Sequence, residues 1–584
     1  MPETLLLSIS GLMILVLITR GASALGEIMD KRRASVVMAL CLIAVSAANA
    51  FLLPLSPSGD AFFVLNSLRY LMNGMGYTEH GVPYFSFNAG NKIVLLIYYA
   101  ACRLTGHIEY AVRTVNFLLA CGASAFISLS CAKIIGKRPS AVPALIFPYI
   151  IVTGAYIYIV GIFLASAAFY LCLSERAPVK ASSIVFIGLL LAIRPTAAIF
   201  IFVYLFISAV VPLPGRPCLP RQKASFLPGV LNCLKRFRQT NALFLLCAVF
   251  GSFAVRWAVG QTMYAAGLHP YPNLENSALT WTLDLGTRLD GKKTGLCVYT
   301  PEKTLKNDLI SEKMSELWAY YKAGDPGDYE KVKSLNAETT RLILSRAADT
   351  IKKDPSVLRD YVYYKTRNLF REDVNPYFYE INYNSPTFEW ELYANLTADS
   401  LLYFDALLAS FVISMIVLLG LRLIKKTPPG CGVALISCAV GVFATFVTFI
   451  LLTEVGKRCV LDAFVPMSVV VCAVTQLAEL KKFPRTLIAP LLPPLAAVCL
   501  YIFHLNDLEI FRNAQSGVTW GSDTVTIELR LEREPNENEQ YSLAWGNTVV
   551  PITQNTVIQT PLRTVIYLRA PNWQFKINGV DLDY

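Results

Sequence analysis

Charge is what this chain has little of. Only 16% of its 584 residues are charged, against roughly 25% in an ordinary soluble domain, and 54% are hydrophobic. That balance is a poor fit to a soluble enzyme. Cysteine chemistry is equally thin. Fourteen cysteines are modest for the length, and most fall within apolar runs. No CxxC pair and no Cys/His cluster at zinc spacing occurs, which disfavours both a disulfide scaffold and a structural zinc module. Cys297 is the one cysteine placed clearly in an aqueous segment on the outer side. The four histidines, His80, His107, His269 and His504, show no ligand spacing, so no histidine metal site is expected. A GxGxxG or P-loop signature is also missing, which leaves a nucleotide-driven pump without support. No internal repeat or low-complexity tract stands out.

Long apolar runs are what the chain does have. A membrane-spanning helix needs about 20 mainly apolar residues. Runs at 4–19, 34–55, 111–132, 155–173, 241–259, 401–421, 431–452, 460–477 and 486–504 meet or approach that length, and shorter ones lie at 141–152, 182–193 and 195–211. Arg194-Pro195 splits the last two, because proline cannot continue a helical hydrogen-bond ladder. The count is twelve spans. The first run has no positive stretch ahead of it, so it reads as a retained span rather than a signal peptide.

The formal charge of +11 is explained by where the cations sit. Segments 20–33, 133–138, 212–240, 422–430 and 479–485 are rich in Lys and Arg, and 212–240 holds six with no acid. With twelve spans all five fall on one face, the cytoplasmic one by the positive-inside rule. Both termini then lie outside, and no nucleic-acid partner is needed to account for the charge.

Three substantial segments fall on the outer side. The first, 56–110, contains NKIVLLIYYAACRLT at 91–105, which reads as an amphipathic helix along the interface. The second, 260–400, is polar, with helices expected near 308–322, 335–353 and 355–371. The third changes texture to VTIELRLE, YSLAW, TVVPI, TVIYLRA and WQFKI between turn residues. The expected organisation is a transmembrane module over 1–259 that includes the outer loop 56–110, and a helical insertion over 260–400. Further spans over 401–505 and a small β-sandwich-like domain over 506–584 complete it.

Polar residues near a membrane face raise the question of function first. Asp60 stands about one turn beyond the second run, where a carboxylate could serve as a base or simply cap the amphipathic FFVLNSLRYLM helix. Arg69, Glu79 and His80 are candidates to line the same pocket. Arg194 is a cation inside an apolar stretch, costly unless it meets a partner or a watery cavity. Its guanidinium suits bidentate phosphate binding, with snorkelling as the plain alternative. Lys457 and Arg458 lie in a tight outer turn against the charge bias, as phosphate ligands or as interfacial anchors. No Asp or Glu is read deep in the clear spans. A carboxylate and two cationic sites on one face suggest chemistry on an anionic lipid head group. The carboxylate would deprotonate a hydroxyl acceptor, and the cations would stabilise a phosphate leaving group.

These residues resemble a family. SGDAFFVLNSLRYLMNGMGYTEHG is similar to the first outer loop of GT-C-fold glycosyltransferases, in their arabinofuranosyltransferase and protein-mannosyltransferase-like branch. In order along the chain, NAGNKIVLLIYYAACRLTG resembles that family's juxtamembrane helix and EYAVRTVNFLLACGASAFIS its next span. LLLAIRPTAAIF resembles its Leu-x-Arg-Pro element, and GKRCVLDAFVPM its later Arg-to-Pro span. The likeness covers about 1–210 and 400–480. It implies an all-α GT-C-like membrane bundle that moves a sugar, with inversion, from a polyprenyl-phosphate donor to a hydroxyl at the outer face. The acceptor would be a cell-envelope glycan, a glycolipid or a protein. Asp60 would be the base, with Arg194 and Arg458, aided by Lys457, on the donor phosphate. The family often carries two adjacent carboxylates where this chain has Gly59-Asp60. One base suffices for an inverting displacement, so no cofactor is required, and metal dependence stays open because the pair is broken. A bacterial plasma membrane is the expected location. The competing class is a flippase or transporter for a lipid-linked sugar, which would also need cations for the phosphate. It usually shows an inverted repeat with broken helices, and none is visible.

Overall fold

The computed structural model describes residues 60–74, 81–135, 156–210, 242–274, 277–287, 309–370, 429–452 and 461–480, scattered positions between 407 and 418, and strands between 524 and 582. The expected spans at 4–19, 34–55, 141–152 and 486–504 lie outside the described residues. The described part is mainly helical. Three helices are long and apolar enough to cross a membrane, Tyr110–Ile135, Ala242–Ala265 and Gly432–Leu452, and on them the chain is read as a membrane protein. Shorter apolar helices occupy Tyr158–Cys172, Ala177–Ile193, Pro195–Val210 and Leu461–Val474.

The N-terminal described helices are α1 (Asp60–Met72), α2 (Gly81–Phe87), α3 (Ala89–Thr105) and α4 (Ile108–Ile135). The apolar series continues with α5 (Tyr156–Cys172), α6 (Ala177–Ile193), α7 (Ile199–Val210) and α8 (Ala242–Ala265). Helix α3 is amphipathic: Ala89, Lys92, Val94, Leu95, Tyr98 and Cys102 are buried while Leu104 is exposed, a helical spacing that gives the helix one inner face. Gly106, at φ 73°, ends it by returning its N–H to the Cys102 carbonyl, the left-handed cap that glycine adopts without strain. The Tyr98 hydroxyl donates to Asn116 Oδ1 at 2.6 Å and ties α3 to α4. Helix α6 stops at Ile193 because Pro195 lacks the N–H to continue it. The chain passes through a 3-10 turn at Pro195–Ala198 into α7.

Helices α13 (Pro429–Leu452) and α14 (Phe464–Leu480) close the bundle. Helix α6 lies between α5 and α8, α7 lies on α13, and α14 contacts both α4 and α13. Their shared core includes Leu95, Tyr98, Ile159, Phe169, Leu190, Phe200, Leu435 and Val470. Small residues set the spacing. A methyl group at Gly441 would lie 2.4 Å from Phe200 Cβ, and one at Gly188 would lie 2.5 Å from Val255 Cβ, the close backbone approach by which membrane helices gain packing. Helix α8 leaves Leu243, Leu246, Phe250, Phe253 and Trp257 exposed. They recur every three or four residues, the pattern of a stripe against lipid.

Between α8 and α13 stand α9 (Ser277–Gly286), α10 (Leu309–Ala323), α11 (Tyr329–Lys353) and α12 (Ser356–Phe370). Helix α11 starts six residues earlier than its sequence pattern suggests. These helices have their own core of Leu283, Ile310, Met314, Leu317, Val332, Leu335 and Ile343, and Phe87 of α2 enters it. The Phe87 ring meets those of Trp318 and Tyr321 at 5.7 Å and that of Trp281 at 6.5 Å. Trp281, Trp318 and Tyr321 thus pack around Phe87, while Tyr363 is exposed. Asp284, buried on α9, is paired with Arg346 Nη2 at 2.8 Å.

A buried lysine fastens the insertion to the bundle. Lys365 Nζ on α12 donates to the Gly286 carbonyl at 2.5 Å, the Tyr361 hydroxyl at 2.7 Å and the Phe449 carbonyl at 3.4 Å. The Tyr361 hydroxyl lies 3.0 Å from the Leu451 carbonyl. Gly286 ends α9, while Phe449 and Leu451 fall in the last turn of α13. The ammonium thus sits where two helices present carbonyls without intrahelical partners and the negative ends of their dipoles.

The C-terminal residues form two antiparallel sheets from β1 (Thr524–Leu531), β2 (Tyr541–Trp545), β3 (Thr548–Ile552), β4 (Thr556–Pro561), β5 (Ile566–Arg569), β6 (Trp573–Ile577) and β7 (Val580–Leu582). Their orders are β4-β1-β6-β7 and β3-β2-β5, with Ile527 opposite both Ile558 and Ile577 and Leu543 opposite Val550 and Leu568. Sequence reading missed β4 and β7. Pro561 ends the first, and the second is only three residues long, too short for its alternation to register.

The Gly441 contact yields a test. Gly441→Ala should lower stability by about 1–3 kcal/mol through overpacking against the Phe200 backbone. Gly432→Ala in the same helix, where nothing lies within 4 Å of an added methyl, should be neutral. Unfolding midpoints of both variants in one detergent compare them directly.

Candidate functional site

The helices above bring one group of polar residues to a common seam. Gly90 sits against the end of α6, where an added methyl would lie 2.8 Å from the Ala192 carbonyl and 3.0 Å from Ile193 Cα. That backbone contact joins the first turn of α3, which carries Lys92, to the residue before Arg194. Helix α1 packs on α2 and α3 beside them. Phe63 of α1 stacks on Tyr84 of α2 at 4.5 Å, and Asn91 Nδ2 donates to the Tyr84 hydroxyl.

Asp60 is the first residue of α1, the helix end where a carboxylate is favoured by the dipole. Arg69, on the same helix, is buried at 2% exposure, and its carbonyl accepts from Asn73 Nδ2 at 2.9 Å. Nine residues separate positions 60 and 69, so they fall on opposite sides of the helix, about 13 Å apart along its axis. Glu79, His80, Lys457 and Arg458 lie outside the described residues.

Arg194 is held by neighbours from three elements. It caps α6 with its N–H on the Leu190 carbonyl at 2.7 Å. Its Nε donates to Asp462 Oδ1 at 2.9 Å, and its guanidinium carbon lies 4.2 Å from the centre of the Tyr158 ring on α5. The Thr196 hydroxyl donates to Asp462 Oδ2. Asp462 stands in the short 3-10 turn 461–463 ahead of α14, with a side chain 2% exposed against 22% for Arg194. Sequence reading passed over this carboxylate, which lies inside the run expected to span at 460–477. The signal was complementarity: a lone cation in one apolar stretch and a lone anion in another.

Lys92 was missed as well. It is 4% exposed, and burial pushes its ammonium down to about 8 from an ordinary value of 10.5. His269, just beyond α8, is also buried, at 3%. Burial first and the nearby Lys92 charge second press it down to about 3, so it is neutral at physiological pH. Neither of its ring nitrogens has a hydrogen-bond partner among the described residues, and the same holds for Asn66 Oδ1 and Ser67 Oγ on α1 and Ser86 Oγ on α2. A buried polar atom left unpaired costs about 1–3 kcal/mol, so these are groups that a polar ligand would satisfy. Among the described residues no cluster of His, Cys, Asp and Glu has the makings of a metal site. The arrangement offers the Lys92 ammonium, the Arg194–Asp462 pair and neutral hydrogen-bonding groups.

Lys92 links this seam to pH. Below about pH 8 the native state carries its full desolvation cost, worth about 3 kcal/mol by the difference between 10.5 and 8. Between pH 8 and 10.5 the native state has shed the proton while the unfolded chain keeps it, so stability rises with pH in that window. Lys92→Met should therefore raise stability by up to about 3 kcal/mol at pH 7, with the gain fading towards pH 10.5. Thermal unfolding in nanodiscs at both pH values measures it. No protein-family model matches the chain, and no curated protein matches it at a significant level.

Proposed function

We propose that the protein is an inverting, membrane-embedded glycosyltransferase that moves a sugar from a polyprenyl-phosphate donor to a hydroxyl acceptor. The observation that carries the reading is Lys92, a buried cation beside the neutral His269, on a helix whose first turn packs against the end of α6 just before Arg194. A buried cation in a membrane protein is expensive unless it serves a function, and a lipid-linked phosphate is an anion that reaches such a site from the bilayer. The resemblance of the loop around Asp60 to GT-C enzymes supplies the rest of the reaction.

In this reading the chain has about twelve spans, and the loop 56–110, the helical insertion and a β-sandwich formed by the two C-terminal sheets all lie outside a plasma membrane. The donor phosphate lies against Arg194 and Lys92, with Lys457 and Arg458 completing the cradle. Asp60 takes the proton from the acceptor hydroxyl as its oxygen attacks the anomeric carbon. The bond from that carbon to the phosphate oxygen breaks, and the leaving phosphate is stabilised by the cations. The acceptor is a glycan, a glycolipid or a protein of the cell envelope.

Two substitutions separate the roles. Asp60→Asn should lower turnover by about 10²–10⁴-fold, the usual share of a general base, while polyprenyl-phosphate-sugar binding persists. Arg194→Ala should weaken donor binding by roughly 10- to 100-fold, the value of one charge-assisted hydrogen bond. Sugar release from a panel of polyprenyl-phosphate sugars, with membrane glycan extract as acceptor, reads the first, and lipid binding in nanodiscs reads the second. Unchanged turnover in Asp60→Asn removes the base. A wild type that binds the lipid and never releases sugar turns the assignment to a flippase.

A further inference from the structure

We infer that Asp462 is a positioning residue, which with Thr196 fixes the plane of the Arg194 guanidinium for an anionic phosphate ligand. The inference rests on the proposed donor-phosphate role of Arg194 and adds a residue that neither the motif nor the resemblance singles out.

The geometry favours orientation over simple charge balance. A counter-charge needs only to be near. Here both carboxylate oxygens are engaged, one by Arg194 Nε at 2.9 Å and the other by the hydroxyl of Thr196. Thr196 is two residues from Arg194 in the same turn, so the segment that carries the cation also anchors the anion. Tyr158 lies over one face of the guanidinium, 4.2 Å from its carbon. The guanidinium is thus held through Nε by Asp462 and lies against the Tyr158 ring. An arginine has long, flexible side-chain torsions, and what its planar fork offers a phosphate depends on being oriented before the ligand arrives. Asp462 itself is almost wholly buried, which removes water as a competitor for the bond.

Thr196→Val separates orientation from charge, because it removes the hydroxyl and leaves both charges in place. In nanodiscs, with a polyprenyl phosphate as probe, Asp462→Asn should weaken binding on the order of tenfold, as expected when a binding group loses its alignment. Thr196→Val should move binding in the same direction, and Thr196→Ser should restore it. A carboxylate that acted only as a counter-charge would behave otherwise: Asp462→Asn would tighten binding and Thr196→Val would leave it unchanged, and either result overturns the inference. Peptide-mapped modification of Arg194 by phenylglyoxal supplies an arm independent of the lipid. Arg194 should react faster in Asp462→Asn and Thr196→Val than in wild type and Thr196→Ser, at matched unfolding midpoints. Equal rates in all four proteins would sink the positioning role. Should the wild type bind no polyprenyl phosphate above empty nanodiscs, the donor reading fails, and the labelling rates alone decide whether Asp462 positions Arg194.

Discussion

A cation next to hydrocarbon has to be answered by something, and the described structure is organised around how Arg194 is answered. Its carboxylate partner stands 268 residues away in sequence. The pair can form only if α6 ends where it does, α5 presents Tyr158, and the turn before α14 arrives at the same level. Pro195, one residue after the arginine, sets the first condition by stopping the helix at Ile193. The others are met by the packing of α5 on α6 and of α14 on α4 and α13. A buried pair of this kind is weak evidence for stability in itself, since its desolvation cost is comparable to its attraction. Its value lies in specifying which helix ends meet.

The same logic recurs where the helices of the insertion meet the bundle. Lys365 is answered by backbone carbonyls at the ends of two helices. The side chain reads the termini of α9 and α13 rather than any residue identity. It fixes the helical insertion at the end of α13. The aromatic cluster around Phe87 does this from the other side, tying the insertion to α2. The insertion thus meets the bundle at two anchors, one electrostatic and one apolar.

Much of the helical layout could be read from the sequence, because a long apolar run admits few structures when no water is present to satisfy the backbone. The break at Arg194-Pro195 was visible for the same reason. Strand texture in the last 70 or so residues was visible where β-branched and aromatic residues alternate, as in VTIELRL, and not in the three residues of β7. The site was legible only in part. Arg194 stood out because it violates the apolar pattern around it. Lys92 did not, although it is buried, because an amphipathic helix is expected to carry cations and only packing decides which face they take. Asp462 was hidden because its partner is remote, and pairings of that range are invisible to any local window. His269 had no motif around it, and its isolation from hydrogen bonds is a property of the folded chain alone.

The long separation of Arg194 and Asp462 has a consequence for how the protein is made. At 5–20 residues per second, synthesis of the intervening 268 residues takes roughly 13 to 54 s. During that interval the arginine is already at the membrane and its carboxylate does not yet exist. Nascent chains must therefore carry Arg194 through that interval without Asp462. The final pairing is a late event that closes the first half of the chain onto the second.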